Sequence, residues 1–351
     1  MRHFLMLVPI HRFTQSHYAH AIYERLGKGK RHAALLYSEY YKTGQVVGAD
    51  PAFNNAGKLL QDILALTDFT LPPVSRTLQE GSTIKFLLDV GGLDSESVII
   101  PMQAGPTLCV SSQIGCARGC AFCETGKMGL IRSLTPEEIV AQLVVARRLG
   151  HPIRNVVFMG MGEPMDNLDA VLSAIAVITD QGGLAMGPSA ITVSTVGHVE
   201  GIDRLAREAD PALNLAVSVN SPNDAVRNRI MPVNRRWDMG ALKGAMERYC
   251  QHPRRTILIE YVLLDGITDS LTAADQLADY LEGLRVKVNV IPYNPQRKDR
   301  FAPPPLDRME AFVAHLRARG YQTLLRLPKG QPIMAACGQL GGRKRPSPAT
   351  V

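Results

Sequence analysis

From about residue 105 onward, two hydrophobic rhythms alternate along the chain. Short apolar runs rich in β-branched residues read as strands: LCVSS (108–112), NVVFMG (155–160), AITVST (190–195), NLAVSV (214–219), ILIEYVLL (257–264), VKVNVI (286–291) and YQTLLRL (321–327). The stretches between them carry apolar residues at helical spacing. TPEEIVAQLVVARRLG (135–150) opens with a capping-box pattern, Thr135 then Glu138, and closes at Gly150. Similar helices are predicted at 167–180, 200–209, 239–251, 270–283 and 306–319. Strand–helix alternation with continuously apolar strands implies a parallel sheet, with functional residues at the carboxyl ends of its strands.

The first 95 residues follow another rhythm. HYAHAIYERLG and AFNNAGKLLQDILALTDF read as helices, and STIKFLLDVGGLDSESVIIPM as a meander turning at Gly91-Gly92. These features predict a small α+β accessory domain over 1–95, an α/β core over 96–340 and a basic flexible tail over 341–351.

Composition narrows the class. The 351 residues are 46% hydrophobic, enough for a sizeable core. No apolar run reaches the roughly 18–20 residues of a membrane span, and MRHFLMLVPIHRF lacks the features of a signal peptide. A cytoplasmic protein with no membrane partner is expected, with its thiols reduced. The net charge of +7 suits an acidic partner such as nucleic acid.

Three of the six cysteines lie within eight residues, in GCARGCAFCETGKMG (115–129). Zinc prefers four ligands, typically in two C-x-x-C pairs, and no nearby His or Cys completes such a set. A disulfide would leave an odd thiol. A four-iron cluster on three cysteines keeps one iron open for a chelating ligand. The spacing of Cys116, Cys120 and Cys123, with Phe122 before the last, resembles the radical SAM signature. That resemblance implies a [4Fe-4S] cluster on these three residues, with S-adenosyl-L-methionine on its open iron. GMGEP (160–164) is weak evidence for phosphate binding by itself. In the superfamily a GEP-like turn meets the amino group of the methionine moiety, and Glu163 suits an ammonium.

Cys109 and Cys337 could be ordinary core cysteines. Their contexts resemble something more specific. LCVSSQIGC, NVVFMGMGEPMDN, ITVSTVG, SVNSPND, RIMPVN, IEYVLLDG, VNVIPYNP and AACGQL, in this order from about residue 80 to 342, resemble the RlmN/Cfr family. These are radical SAM methyltransferases of an adenine in 23S ribosomal RNA and, for some members, transfer RNA. The resemblance implies a partial (β/α)6 radical SAM barrel. It implies that Cys337 accepts a methyl group, that Glu96 takes a proton, and that Cys109 resolves a protein–RNA link as a disulfide. Gly162, Glu163, Ser194, Ser218, Asn220 and Asn294 fall on cofactor-contacting positions, and a flavodoxin-like electron donor is implied as a partner. Methylation at carbon 2 is expected, with carbon 8 the alternative.

The chain departs from the family at Val219-Asn220, Glu124 and Gln331-Pro332, where the family has other residues, and its first 75 residues are only loosely similar. These departures allow the same chemistry on a small molecule, a peptide or another RNA. An iron–sulfur binding or redox-sensing protein would need none of Cys109, Cys337 and Glu96. Cys250 matches no motif and reads as structural.

Overall fold

The structure, a computed structural model, describes residues 7–297 and 300–341. Apart from Gly341, the expected basic tail lies outside the described residues. The chain divides into two compact units. One takes in Met1–Pro73, Thr135–Pro152 and Asp169–Gly187; the other takes in Val74–Leu134, Ile153–Leu168 and Pro188–Val351.

The first unit is helical. Helices Gln15–Leu26, Lys30–Thr43 and Gly57–Leu66 bury Tyr18, Ile22, Leu36, Tyr37 and Ile63. Pro136–Arg148 belongs to the same unit and starts at the expected capping box. Thr135 Oγ1 accepts the Glu138 amide, and Glu138 Oε2 accepts the Thr135 amide at 2.9 Å. Arg148 donates to Tyr40 Oη at 2.8 Å with its guanidinium over that ring.

The second unit is built on one ten-stranded sheet. Its strands are β1 (Val74–Glu80), β2 (Thr83–Asp89), β3 (Asp94–Ile100), β4 (Thr107–Cys109), β5 (Asn155–Phe158), β6 (Ile191–Thr195), β7 (Asn214–Ser218), β8 (Ile257–Leu263), β9 (Val286–Pro292) and β10 (Thr323–Leu325). Their order across the sheet is their order in the chain. From β1 to β4 neighbours are antiparallel; from β4 to β10 they are parallel, as a partial (β/α)6 barrel requires. The parallel strands bury Val156, Val193, Leu215, Ile259 and Val288 completely, as their continuous apolar runs require.

One boundary differs from expectation. The meander over 82–102 turns at Gly91-Gly92, both at positive φ, but it extends the main sheet instead of completing an accessory domain. The cause is register: Val98, Ile99 and Ile100 on β3 pair with Cys109, Leu108 and Thr107 on β4. A strand that buries both faces cannot leave the core sheet without exposing one of them.

The carboxyl ends of β6 and β7 are tied by one fully buried side chain, Arg227. Its guanidinium donates to the carbonyls of Val219 (2.9 Å), Val196 (2.6 Å) and Ser218 (3.2 Å) and to Asn234 Oδ1 (2.8 Å). Burial lowers its pKa to about 10, which leaves it charged at neutral pH. Replacing Arg227 with Met should strand these acceptors and destabilise the protein by about 3 kcal/mol or more. The denaturant midpoint measures this; an unchanged midpoint would remove Arg227 from the framework.

Candidate active site

The cluster loop is bracketed by a small antiparallel ribbon, Gln113–Gly115 against Leu130–Ser133. Gly115 has φ +75°, and a Cβ there would lie 1.9 Å from the Gly129 carbonyl oxygen, so only glycine closes the ribbon. Within the loop the Cys116 amide donates to Gly129 O at 3.0 Å and the Cys123 amide to Cys120 O at 3.2 Å. Cys116 and Cys120 are buried and Cys123 is half-buried. Burial pushes the Cys116 thiol up to about 12; for Cys120 burial dominates, and the charges of Cys123 and Cys116 add to it. Three thiols this close lose their protons together only to a strongly cationic group.

Among the described residues, no three His, Cys, Asp or Glu side chains are arranged to hold a single metal ion. A cluster asks for a different arrangement, one iron per thiolate, and three neighbouring thiols on one loop fit it.

The GMGEP turn after β5 docks against the residues just before this loop. The Gly160 amide donates to Val110 O (3.0 Å), Met161 N–H to Ser111 Oγ (2.9 Å), and Glu163 N–H to Gln113 Oε1 (2.9 Å). Gly162 has φ +100°, and a Cβ there would sit 2.5 Å from Gln113 Cβ. The Glu163 carboxylate takes the amides of Met165 (3.1 Å) and Val196 (2.9 Å), so it also joins β5 to β6. Arg118, inside the cluster loop, pairs in a bidentate manner with Asp166 of the same turn.

Cys120, Cys123, Gly162 and Glu163 line one cavity, and Cys337 lines it from the other end of the chain. Ser194, Ser218, Asn220 and Asn294 lie on the same wall, at the carboxyl ends of β6, β7 and β9 or just beyond them. Asn220 has φ +55°; its Oδ1 accepts the Val262 amide at 2.8 Å and its Nδ2 donates to Met231 Sδ. Asn294 Nδ2 donates to the Cys337 carbonyl at 3.0 Å. The Cys337 turn is fastened to the cluster loop by Glu124 N–H to Gly338 O (2.7 Å) and by Thr125 Oγ1 to Leu340 O.

Three of the expected residues lie off the cavity wall. Cys116 is buried in the loop without lining the cavity. Cys109 is buried on β4; burial, and secondly the Cys337 charge, push its thiol well up. Glu96 is buried on β3, where its Oε2 meets Lys85 Nζ at 2.6 Å. Cys250 is distant from this site in its contacts, its thiol facing Arg285 O at 3.8 Å.

Glu260 lines the cavity and had no place in the sequence reading. It is buried, accepts from Asn289 Nδ2 at 3.0 Å, and lies 3.9 Å from Arg326. The register Ser218–Glu260–Asn289 forms one polar row across β7, β8 and β9. A lone carboxylate inside ILIEYVLL was the available signal, because a charge in a buried strand needs a reason.

Burial raises the Glu163 pKa from 4.5 to about 7 despite its two amide donors. Its stabilising contribution is therefore present below pH 4.5 and declines as pH rises through about 7. In cluster-free protein, the stability gap between wild type and Glu163→Gln should shift against the wild type from pH 5 to pH 8. Denaturant titrations at the two pH values measure it; a gap that stays constant or moves the other way would contradict the assigned environment.

Among known proteins, the Radical SAM superfamily matches residues 110–281. The chain is 52% identical over 339 residues to a probable dual-specificity RNA methyltransferase RlmN 1 of Protochlamydia amoebophila, covering 95% of each protein. It is 41% identical over 319 residues to a dual-specificity RNA methyltransferase RlmN of Bdellovibrio bacteriovorus, covering 90% of this chain and 79% of the relative. The crystal structure of a radical SAM methyltransferase from Sphaerobacter thermophilus matches with TM-score 0.87 at 37% identity, over 95% of this chain and 98% of the other. With the cysteine loop, the GMGEP turn and the Cys337 segment around one cavity, these likenesses place the chain in the RlmN family of radical SAM methyltransferases.

Proposed function

We propose that this protein methylates an adenine carbon of RNA, at carbon 2 in preference to carbon 8, with Cys337 as carrier of the methyl carbon. The substrate is 23S ribosomal RNA, with transfer RNA as a second. The observation that carries the reading is the position of Cys337 on the wall of the cavity that Cys120, Cys123, Gly162 and Glu163 also line. The names of the relatives, RNA methyltransferases of dual specificity, support the substrate class.

Cys116, Cys120 and Cys123 hold the [4Fe-4S] cluster, and Gly162, Glu163, Ser194, Ser218, Asn220 and Asn294 surround S-adenosyl-L-methionine. Together, when bound, these two cofactors supply a methyl group and the means to abstract a hydrogen atom. Cys337 takes the methyl group on its sulfur as a nucleophile. An aromatic amidine carbon is electron-poor, so the new carbon–carbon bond forms by radical addition from the S-methylene of Cys337. Glu96 then accepts the proton from that carbon as the adduct gives up its unpaired electron to a one-electron acceptor, a part the bound cluster would play. The Cys109 thiolate attacks the Cys337 sulfur; the bond from that sulfur to the methylene carbon breaks, the carbon keeps the electron pair and takes up a proton to become the methyl group, and a Cys109–Cys337 disulfide remains. A flavodoxin-like donor supplies electrons. The site of action is the cytoplasm; among the described residues no helix is long and apolar enough to cross a membrane. The helical unit around Tyr18 and Leu36 is the proposed RNA-contacting part.

One feature favours a second reading, the same chemistry on another substrate. Gln331, where the family has an acidic residue, donates to Asn294 Oδ1 at 2.9 Å and so alters the cavity wall.

Replacing Cys109 with Ala decides between the two. The link through Cys337 should form without being resolved, and the variant should carry covalent RNA, seen as a nuclease-sensitive shift on a denaturing gel. An adduct that resists nuclease would move the substrate outside RNA. Full turnover without any adduct would remove Cys109 from the mechanism.

A further inference from the structure

The Lys85–Glu96 pair lies outside the cavity, on the antiparallel edge of the sheet. Lys85 is on β2 and Glu96 on β3, and their side chains are 6% and 3% exposed. A buried ion pair is weak evidence for stability, because desolvation offsets much of its attraction. What else the pair holds is therefore informative. Lys85 Nζ donates to the carbonyl of Met334 at 2.8 Å, and Glu96 Oε2 accepts the amide of Gly341 at 3.3 Å. These two bonds fall at the two ends of Met334–Gly341, the segment that carries Cys337.

That segment contains no helix or strand, so its backbone groups depend on partners elsewhere. Met334 sits at φ +53°, a conformation that non-glycine residues adopt only when their surroundings impose it. The bonds from Asn294 and Glu124 hold the middle of the segment, and the Lys85–Glu96 pair holds its ends.

We propose that Lys85 is a positioning residue for Cys337: together with Glu96 it forms a clamp that fixes both ends of the Met334–Gly341 segment and keeps the thiol at the cavity. This role rests on the reading of Cys337 as methyl carrier, whereas the clamp rests on the geometry alone. The rival is a pair that serves only to join β2 to β3.

Amide hydrogen exchange on the anaerobically reconstituted full-length protein separates the two. Lys85→Met alone leaves an unpaired buried carboxylate and could unfold the edge. The double variant Lys85→Met/Glu96→Leu removes both charges and so avoids that penalty. In the double variant, amides of 334–341 should exchange about ten-fold faster, the loss expected from one or two hydrogen bonds, while β2 and β3 keep wild-type protection. Lys85→Arg, which retains a cation, should restore part of the protection of 334–341. S-adenosylmethionine affinity should stay at the wild-type value in the double variant, and methylation of Cys337 should fall. Wild-type exchange of 334–341 in the double variant would overturn the clamp. So would loss of protection in β2 and β3 together with the segment. If wild-type protein carries no methyl group on Cys337, the methyl-carrier reading fails while the exchange result still stands or falls by itself.

Discussion

The cavity depends on the contact between two segments that lie far apart in the chain. Glu124 N–H meets the carbonyl of Gly338, and Thr125 Oγ1 meets the carbonyl of Leu340, 215 residues away. Glu124 opens the short helix Glu124–Met128, so its amide has no partner within that helix, and the Cys337 segment contains no helix or strand; each supplies partners to the other. This places Cys123 beside the turn of Cys337. Gln296 reinforces the contact by donating to Gly338 O at 3.2 Å and to Phe122 O. The thiol proposed as methyl carrier is thereby held by the segment proposed to hold the cluster.

The sheet makes that meeting possible. Because β4 to β10 all run parallel, their carboxyl ends lie together at one end of the sheet. Polar side chains that would be costly inside an apolar strand, Ser218, Glu260 and Asn289, fall into one row across β7, β8 and β9. Arg227 and Glu163 each bridge neighbouring strand ends through backbone carbonyls and amides. They hold a concave wall in place without covering it.

Much of this was legible in the sequence, for identifiable reasons. Continuous apolar runs such as NLAVSV mark buried parallel strands, and Thr135 with Glu138 marks a helix start that the structure reproduces. The cysteine spacing and GMGEP could be read because their chemistry is local. Features that depend on register could not. β1 has mostly exposed side chains and no apolar run, so it left no strand signal. The helix Lys30–Thr43 went unread: it starts at Gly29 with no side-chain cap, although Ala33, Leu36, Tyr37 and Tyr40 have helical spacing. The Lys85–Glu96 pair and the polar row through Glu260 appear only once the strands are aligned. The same holds for the unit boundary, because nothing local distinguishes a meander that closes a small domain from one that widens a large sheet.

In the proposed chemistry the transferred carbon rests on Cys337 before it reaches RNA. A single-turnover isotope chase tests it most directly. Protein whose Cys337 has been loaded from S-adenosylmethionine with a labelled methyl group is freed of that donor, then given RNA and unlabelled S-adenosylmethionine under reducing, anaerobic conditions. The methyladenine formed in the first turnover should carry the labelled carbon, and the label should leave Cys337 as it appears in RNA. A first-turnover product with unlabelled carbon, while the label stays on Cys337, would contradict it.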